Sequence, residues 1–254
     1  MLSSIDLTES QTSSLLGRAS PVVKLGLAVA SLVMLALTLE PWRPLVLGAA
    51  ALLAGLSLGR IPPRSLGRAL APLVAAAGSI FVANLLFAAA NTDPASTELA
   101  RVGPLRLTLE AVEAAGALAA RVLAIVAVGA VFAQTTDPTQ LVDSLVQQAR
   151  VPERFAYGAL AAYQAVPRLG EDLATLQQAR RIRGLGGGWH PRLLVGLLVR
   201  AIRHADQLAL AMDARAFGSR PRTAFRPIRW GWADVIVGVG GLAALAVLGW
   251  AAGR

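Results

Sequence analysis

Five long blocks of Ala, Leu, Val and Gly restrict this chain more than any other feature. They cover residues 22–39, 45–59, 69–90, 110–132 and 233–252. A soluble domain cannot bury so much unbroken apolar sequence around one core, whereas a bilayer needs about 20 such residues per crossing helix. In lipid every backbone polar group must find its partner within the segment, so the blocks read as helices. With 55% apolar and 15% charged residues and a mean hydropathy of +0.58, the chain lies outside the soluble range. The expected fold is all-α: a polytopic membrane protein with about five transmembrane helices and amphipathic helices outside the lipid.

Charge orients the blocks. Arg60, Arg64 and Arg68 lie between the second and third with no acid among them, which places that loop in the cytoplasm. Alternation then puts the N-terminus inside, and the 40–44 turn and the mixed-charge loop 91–106, with Pro94 and Pro104, outside. Lys24 sits near the start of the first span, where its charge can snorkel to the interface. Residues 1–20 are polar and lack a basic segment followed by an apolar one, so no cleaved signal peptide is expected. Trp230 and Trp232 precede the last span as interfacial anchors. The division expected is 1–133 for a polar arm and four spans, 134–232 for a cytoplasmic and interfacial region, and 233–254 for the final span.

Most of the net charge of +9 lies in residues 171–229, where eleven arginines face four acids. The positive-inside rule accounts for this excess, so no nucleic-acid partner is expected. Asp137-Pro138 pairs an N-cap with a first-turn proline, starting a helix over 139–150. In that helix Leu141, Val142, Leu145 and Val146 form one face, and Asp143, Gln147 and Arg150 turn away. Residues 155–166 are apolar but too few to cross alone, and read as a partly embedded helix. A helix over 173–183 then stops at Gly184. Residues 193–214 carry apolar positions at i, i+3/i+4 spacing, including Leu194, Leu197, Leu198, Ile202, Leu208 and Met212. Pro221 and Pro227 break the chain after it.

The search for chemistry is largely negative. Gly184 to Gly188 lacks the Lys-Ser/Thr of a phosphate loop, and no strand precedes it. His190 and His204 are the only histidines and lack metal-ligand spacing, and with no cysteine there are no thiolate ligands. No cofactor is therefore expected in this chain, and no enzymatic activity. Glu113 and Arg121 fall inside the fourth span, eight residues apart and roughly on one face. They read either as groups satisfied within the helix bundle or at the interface, or as a substrate path. The second reading would make the protein a standalone membrane carrier or enzyme. An interaction module fits better. Arg183, with Arg180 a turn earlier, and Arg215, following Ala214, stand at the C-terminal ends of two helices. Arginine there is favourable with the helix dipole and can pair with a partner's carboxylate.

These residues resemble the T component of energy-coupling-factor (ECF) importers, over nearly the whole chain. Ser20-Pro21-Val22-Val23-Lys24-Leu25 is similar to the family's Asp/Asn-Pro-x-x-Lys-Leu entry to the first span, with Ser in the first position. Thr136-Asp137-Pro138 with Leu141-Val142-Asp143-Ser144-Leu145 is similar to its Thr-(Ser/Asp)-Pro segment. The two Ala-Arg-Gly signatures correspond to Ile182-Arg183-Gly184 and Ala214-Arg215-Ala216, and Arg222-Thr223 follows the second. The departures, Ile for Ala and Ala for Gly, put the helix-end geometry in question rather than the charge.

The resemblance implies two ABC-type ATPase subunits that carry the ATP. Arg183, Gly184, Ala214, Arg215 and Arg180 would form the ends that dock into them. It implies a small membrane S component, contacted by the apolar stripe 194–212. It also implies a multi-pass location in a prokaryotic inner membrane and a vitamin as substrate. Residues 150–160 look closest to T components for thiamine or its hydroxymethylpyrimidine precursor.

Overall fold

The computed structural model describes residues 14–37, 42–88, 91, 97–102, 105–186, 188–219, 224, 226–228 and 230–250. The predicted turn at Glu40-Pro41, the loop positions Pro94 and Pro104, and Pro221, Arg222 and Thr223 lie outside these residues. The described chain is almost entirely helical. In order it forms α1 (Leu15–Arg18), α2 (Pro21–Leu37), α3 (Trp42–Ser57), α4 (Pro63–Phe87), β1 (Glu98–Val102), β2 (Leu105–Thr108), α5 (Leu109–Thr135), α6 (Pro138–Gln147), α7 (Glu153–Ile182), α8 (Arg192–Ala214) and α9 (Trp232–Trp250).

Helices α4, α5 and α9 are long and apolar enough to cross a membrane. Helices α2 and α3 are apolar over 17 and 16 residues. At 1.5 Å per residue these span about 25 Å, close to the ~30 Å hydrocarbon core. All five overlap the predicted blocks, although α4 starts at Pro63 and so takes Arg64 and Arg68 of the expected basic loop into its first turns, and the architecture fits a polytopic all-α membrane protein. Trp42 to Pro44, expected in a turn, instead open α3. Proline in a first turn lacks only an N–H that would have no intrahelical acceptor. The outward faces carry Val33, Leu53, Val82 and Val239, all exposed, as lipid-facing residues must be.

The described chain divides into two compact units: residues 14–141 together with 230–250, and Val142–Ile228. In the first, helices approach closely at glycines. A Cβ on Gly48 would stand 3.1 Å from the Ala124 backbone, and one on Gly55 would stand 2.8 Å from Val131, so α3 lies directly on α5. Gly241 of α9 packs the same way on Leu27 of α2. Small residues at helix contacts are how membrane helices maximise dispersion without a hydrophobic driving force between them. Leu35, Leu47, Ala124 and Val128 fill the centre.

Polar groups close both ends of this unit. At one end Asn91 accepts from the Thr108 backbone N–H (3.2 Å) and hydroxyl (3.1 Å), while its amide donates to the Leu85 carbonyl (2.7 Å). This staples the last turn of α4 to the N-cap of α5. The loop expected before α5 contains an antiparallel hairpin, β1 paired with β2, with Glu98 and Arg106 3.4 Å apart. Its alternating segments are too short to have stood out among the charges.

At the other end Lys24 does not snorkel. It is 6% exposed, and its ammonium donates to the Thr135 carbonyl at 2.6 Å. That carbonyl belongs to the last turn of α5 and has no partner inside its own helix. The Asp234 carboxylate accepts from the backbone N–H groups of Ser20 and Gly231. The first turn of α2, the end of α5 and the start of α9 are thereby tied at one polar point. Asp137 caps α6 as its sequence implies, accepting from the N–H of Thr139 at 2.6 Å.

Candidate coupling surface

The second unit is dominated by α7 and α8. Helix α7 runs unbroken for 30 residues, joining the two segments expected over 155–166 and 173–183. Pro167 lies inside it, and costs one backbone bond without ending the helix. Helix α8 returns antiparallel. Leu176 meets Gly196 at 3.4 Å from that glycine's would-be Cβ, Asp172 pairs with Arg200 at 2.7 Å, and Arg168 meets His204 at 3.2 Å. Further along, Tyr157 meets Phe217.

The C-terminal ends of α7 and α8 therefore lie at opposite ends of the pair. Between the level of Tyr157 and Arg183 there are roughly 26 residues of helix, on the order of 40 Å.

Both ends close with the same turn. Arg183 is the C-cap of α7 and Gly184 follows in the left-handed region at φ +69°. The N–H of Leu185 donates to the Arg180 carbonyl (3.1 Å) and that of Gly184 to Arg181 (3.0 Å). Arg215 is the C-cap of α8 and Ala216 follows at φ +55°. The N–H of Phe217 donates to the Met212 carbonyl (3.0 Å) and that of Ala216 to Asp213 (2.9 Å). Each pair of bonds is a Schellman motif, satisfying carbonyls that a helix end leaves open. Alanine thus adopts the conformation that favours glycine, and the departure of Ala214-Arg215-Ala216 from the glycine signature leaves the geometry unchanged.

The arginines fall into two kinds. The Arg180 guanidinium donates to the Leu185 carbonyl at 3.1 Å, holding the first turn closed. Arg200 is paired with Asp172. Arg183 and Arg215 are exposed, and among the described residues neither guanidinium has a hydrogen-bond or ion-pair partner. Gly184 and Ala214 are exposed beside them.

The apolar residues of α8 occupy two faces rather than one stripe. Leu208 and Met212 line the groove that faces α7, together with Ala161 and Ala165. Leu194, Leu198 and Ile202 point outward and are exposed, flanked by Val195 and Val199. Leu197 is half-buried.

Two of the residues that turn away from the apolar face of α6 meet other parts of the chain. Asp143 is buried and accepts a hydrogen bond from the Tyr157 hydroxyl at 2.8 Å. The Gln147 amide donates to the Arg226 carbonyl and accepts from the Ile228 N–H, both at 2.9 Å. Nothing local in the sequence marks these contacts, since their partners are 14 to 81 residues away.

Glu113 is exposed and Arg121 half-buried on the continuous helix α5, about 12 Å apart along its axis. They are not brought together into a site. The apolar recess among α2, α3, α5 and α9 has Lys24 as its one charged lining residue.

The family and the EcfT relatives that this chain matches are membrane subunits of transporters rather than enzymes. The CbiQ family, described as cobalt transport protein, matches residues 12–225. The chain belongs to that family, the T components of ECF transporters. It is 29% identical over 170 residues to the energy-coupling factor transporter transmembrane protein EcfT of Listeria innocua, covering 60% of this chain and 62% of that protein. The match therefore spans less than two thirds of that relative's length. The EcfT protein of Heliobacterium modesticaldum is 29% identical over 197 residues, 71% of this chain and 72% of its own. A protein of Bifidobacterium longum named as an ABC transporter ATP-binding protein is 27% identical over 221 residues, 80% of this chain but 27% of that longer protein.

Proposed function

We propose that this chain is the coupling subunit of an ECF-type ABC importer in a prokaryotic inner membrane, which it crosses several times. Two ABC-type ATPase subunits bind and hydrolyse ATP, and one small membrane S component holds the substrate. Arg183 and Arg215 enter one ATPase each. Arg180, Gly184 and Ala214 shape those ends. The observation that carries the reading is the repeated turn: two helices with opposite polarity, each closing on an exposed, unpaired C-cap arginine in the same backbone geometry. A guanidinium held at a helix end is a rigid fork suited to a carboxylate in a groove.

The outward face of α8, Leu194, Leu198 and Ile202, is the surface offered to the S component. Leu197 borders it. Leu208 and Met212 act from the groove side by setting how α8 lies on α7. ATP-driven closure of the ATPases moves the two ends together, and the motion passes through this face.

The vitamin reading rests on residues 150–160 and names thiamine or its pyrimidine precursor. Purification of the tagged chain in mild detergent from its own cell tests the assembly. An ATPase pair and a small membrane protein are expected to co-purify. Recovery of the chain alone, under conditions that keep it folded, would overturn the reading. Uptake of labelled thiamine against cobalt by the assembled complex decides the substrate.

A further inference from the structure

Arg183 and Arg215 share a turn but not a support. Just past Arg215, Phe217 packs edge-on against Tyr157, with ring centroids 6.2 Å apart and planes at 80°. The Tyr157 hydroxyl continues to Asp143 of α6 at 2.8 Å. Arg154 lies against the next turn, where a Cβ on Gly218 would stand 3.0 Å from its Nε. One helical turn from Asp143, Gln147 clamps residues 226 and 228 through both ends of its amide. Residues four apart share a helix face, so Asp143 and Gln147 make α6 a platform for the chain that leaves α8.

Among the described residues the Arg183 end has nothing comparable. The Arg180 guanidinium on the Leu185 carbonyl is its side-chain brace. Around it Ile182 and Trp189 are 88% and 67% exposed.

We propose that Asp143 and Tyr157 are positioning residues for Arg215, so that the two arginine-tipped ends are mechanically unequal. The α8 end is braced from within its own chain through Phe217, Tyr157 and Asp143. The α7 end is compliant and becomes ordered when a partner covers Ile182 and Trp189. A displacement applied at Arg215 reaches α6 directly through Phe217, Tyr157 and Asp143, whereas one applied at Arg183 reaches α6 only along the length of α7. The assignment of Arg215 to a partner rests on the proposed function, whereas the brace itself does not.

Hydrogen exchange read by mass spectrometry on the full chain in mild detergent tests the brace without any partner. The amides of Ala216 and Phe217 report one end, and those of Gly184 and Leu185 the other. Tyr157→Ala is expected to speed exchange at residues 216 and 217 by roughly tenfold, the combined worth of an edge-on ring pair and a hydrogen bond to a carboxylate. Tyr157→Phe keeps the ring and is expected to have a smaller effect, in the same direction as Asp143→Asn. Residues 184 and 185 stay as in the parent. Unchanged exchange at 216 and 217 in Tyr157→Ala overturns the proposal, and so does an equal rise at both ends.

Association with the co-expressed ATPase pair is the second arm. Tyr157→Ala is expected to weaken it and Tyr157→Phe to restore most of the loss. If exchange responds as expected while Tyr157→Ala and Arg215→Ala both associate like the parent, the brace stands and the docking of Arg215 fails.

Discussion

Gly184 and Ala216 occupy the same backbone position, each following a C-cap arginine in a left-handed turn, at φ +69° and +55°. Glycine takes this conformation freely, whereas a Cβ there costs about 1–2 kcal/mol. Opposite effects are expected from reciprocal substitutions. Gly184→Ala should destabilise the α7 end by about 1 kcal/mol, and the strain is purely torsional, since a Cβ there meets nothing within 4 Å. Ala216→Gly should stabilise the α8 end by a similar amount. Denaturant unfolding in detergent, or local exchange protection, measures both. Equal and opposite signs are the test, and a shift of the same sign at both positions would show that the turns are not equivalent.

Lys24 and Asp234 are buried charged groups that tie three helices at one point, Lys24 through the Thr135 carbonyl and Asp234 through the N–H groups of Ser20 and Gly231. Leaving a buried hydrogen-bonding partner unmatched costs about 1–3 kcal/mol, and more where the group is charged. Lys24→Met and Asp234→Asn are each expected to lower stability strongly, and the double variant to lose less than the sum of the two. Asp234→Asn should be the milder, because an amide oxygen can still accept from Ser20 and Gly231. A thermal-stability double-mutant cycle in detergent reads the coupling. Strict additivity would show that the two charges do not interact.

Gly55 and Gly78 separate packing from helix propensity. A Cβ on Gly55 would meet Val131 Cγ2 at 2.8 Å, while one on Gly78 meets nothing within 4 Å. Valine is stiff at χ1 and cannot swing away cheaply, so Gly55→Ala should force α3 off α5 and cost about 1–3 kcal/mol. Gly78→Ala should be neutral or stabilising by up to about 1 kcal/mol. Comparable thermal stability of the two variants would mean that the α3–α5 contact is looser than described.

How much of this was legible in the sequence depends on the range of each interaction. The Asp137 cap and the Gly184 stop are set within four residues, and both were read correctly. The five apolar blocks are readable because an unbroken apolar run of this length can satisfy its backbone in lipid only as a helix, barrel strands being shorter and alternating. Lys24 looks interfacial in the sequence, as an isolated lysine near a span end does, because its hydrogen-bond partner lies 111 residues away. Asp143 and Gln147 are legible only as turning away from the apolar face, because helical periodicity separates apolar from polar faces. It does not say whether a polar face meets water or another stretch of chain. Helix α7 was divided at a change of composition near Pro167, although a proline removes one backbone bond and does not by itself end a long helix. The left-handed Ala216 was beyond reach, since composition favours glycine there and only the backbone shows that alanine takes its place.

Arg183 and Arg215 bear the most direct test of function. Each is exposed and unpaired among the described residues, so truncation costs the free chain little, and any large effect belongs to a complex. In a desolvated groove, removing one partner of a charge pair costs about 2–5 kcal/mol and acts mainly on dissociation. Arg183→Ala and Arg215→Ala are therefore expected to weaken ATPase association and uptake while leaving the chain's own unfolding unchanged. The double reversal to Glu should abolish assembly, because it sets like charges against any groove carboxylate. Arg203→Ala is the control: an equally exposed arginine in mid-helix, with none of the helix-end geometry. If Arg203→Ala weakened association as much as the two end substitutions, the basic surface would be acting as undirected charge. The difference between mid-helix and helix-end arginines, more than the size of any single loss, decides whether the two turns are the docking points.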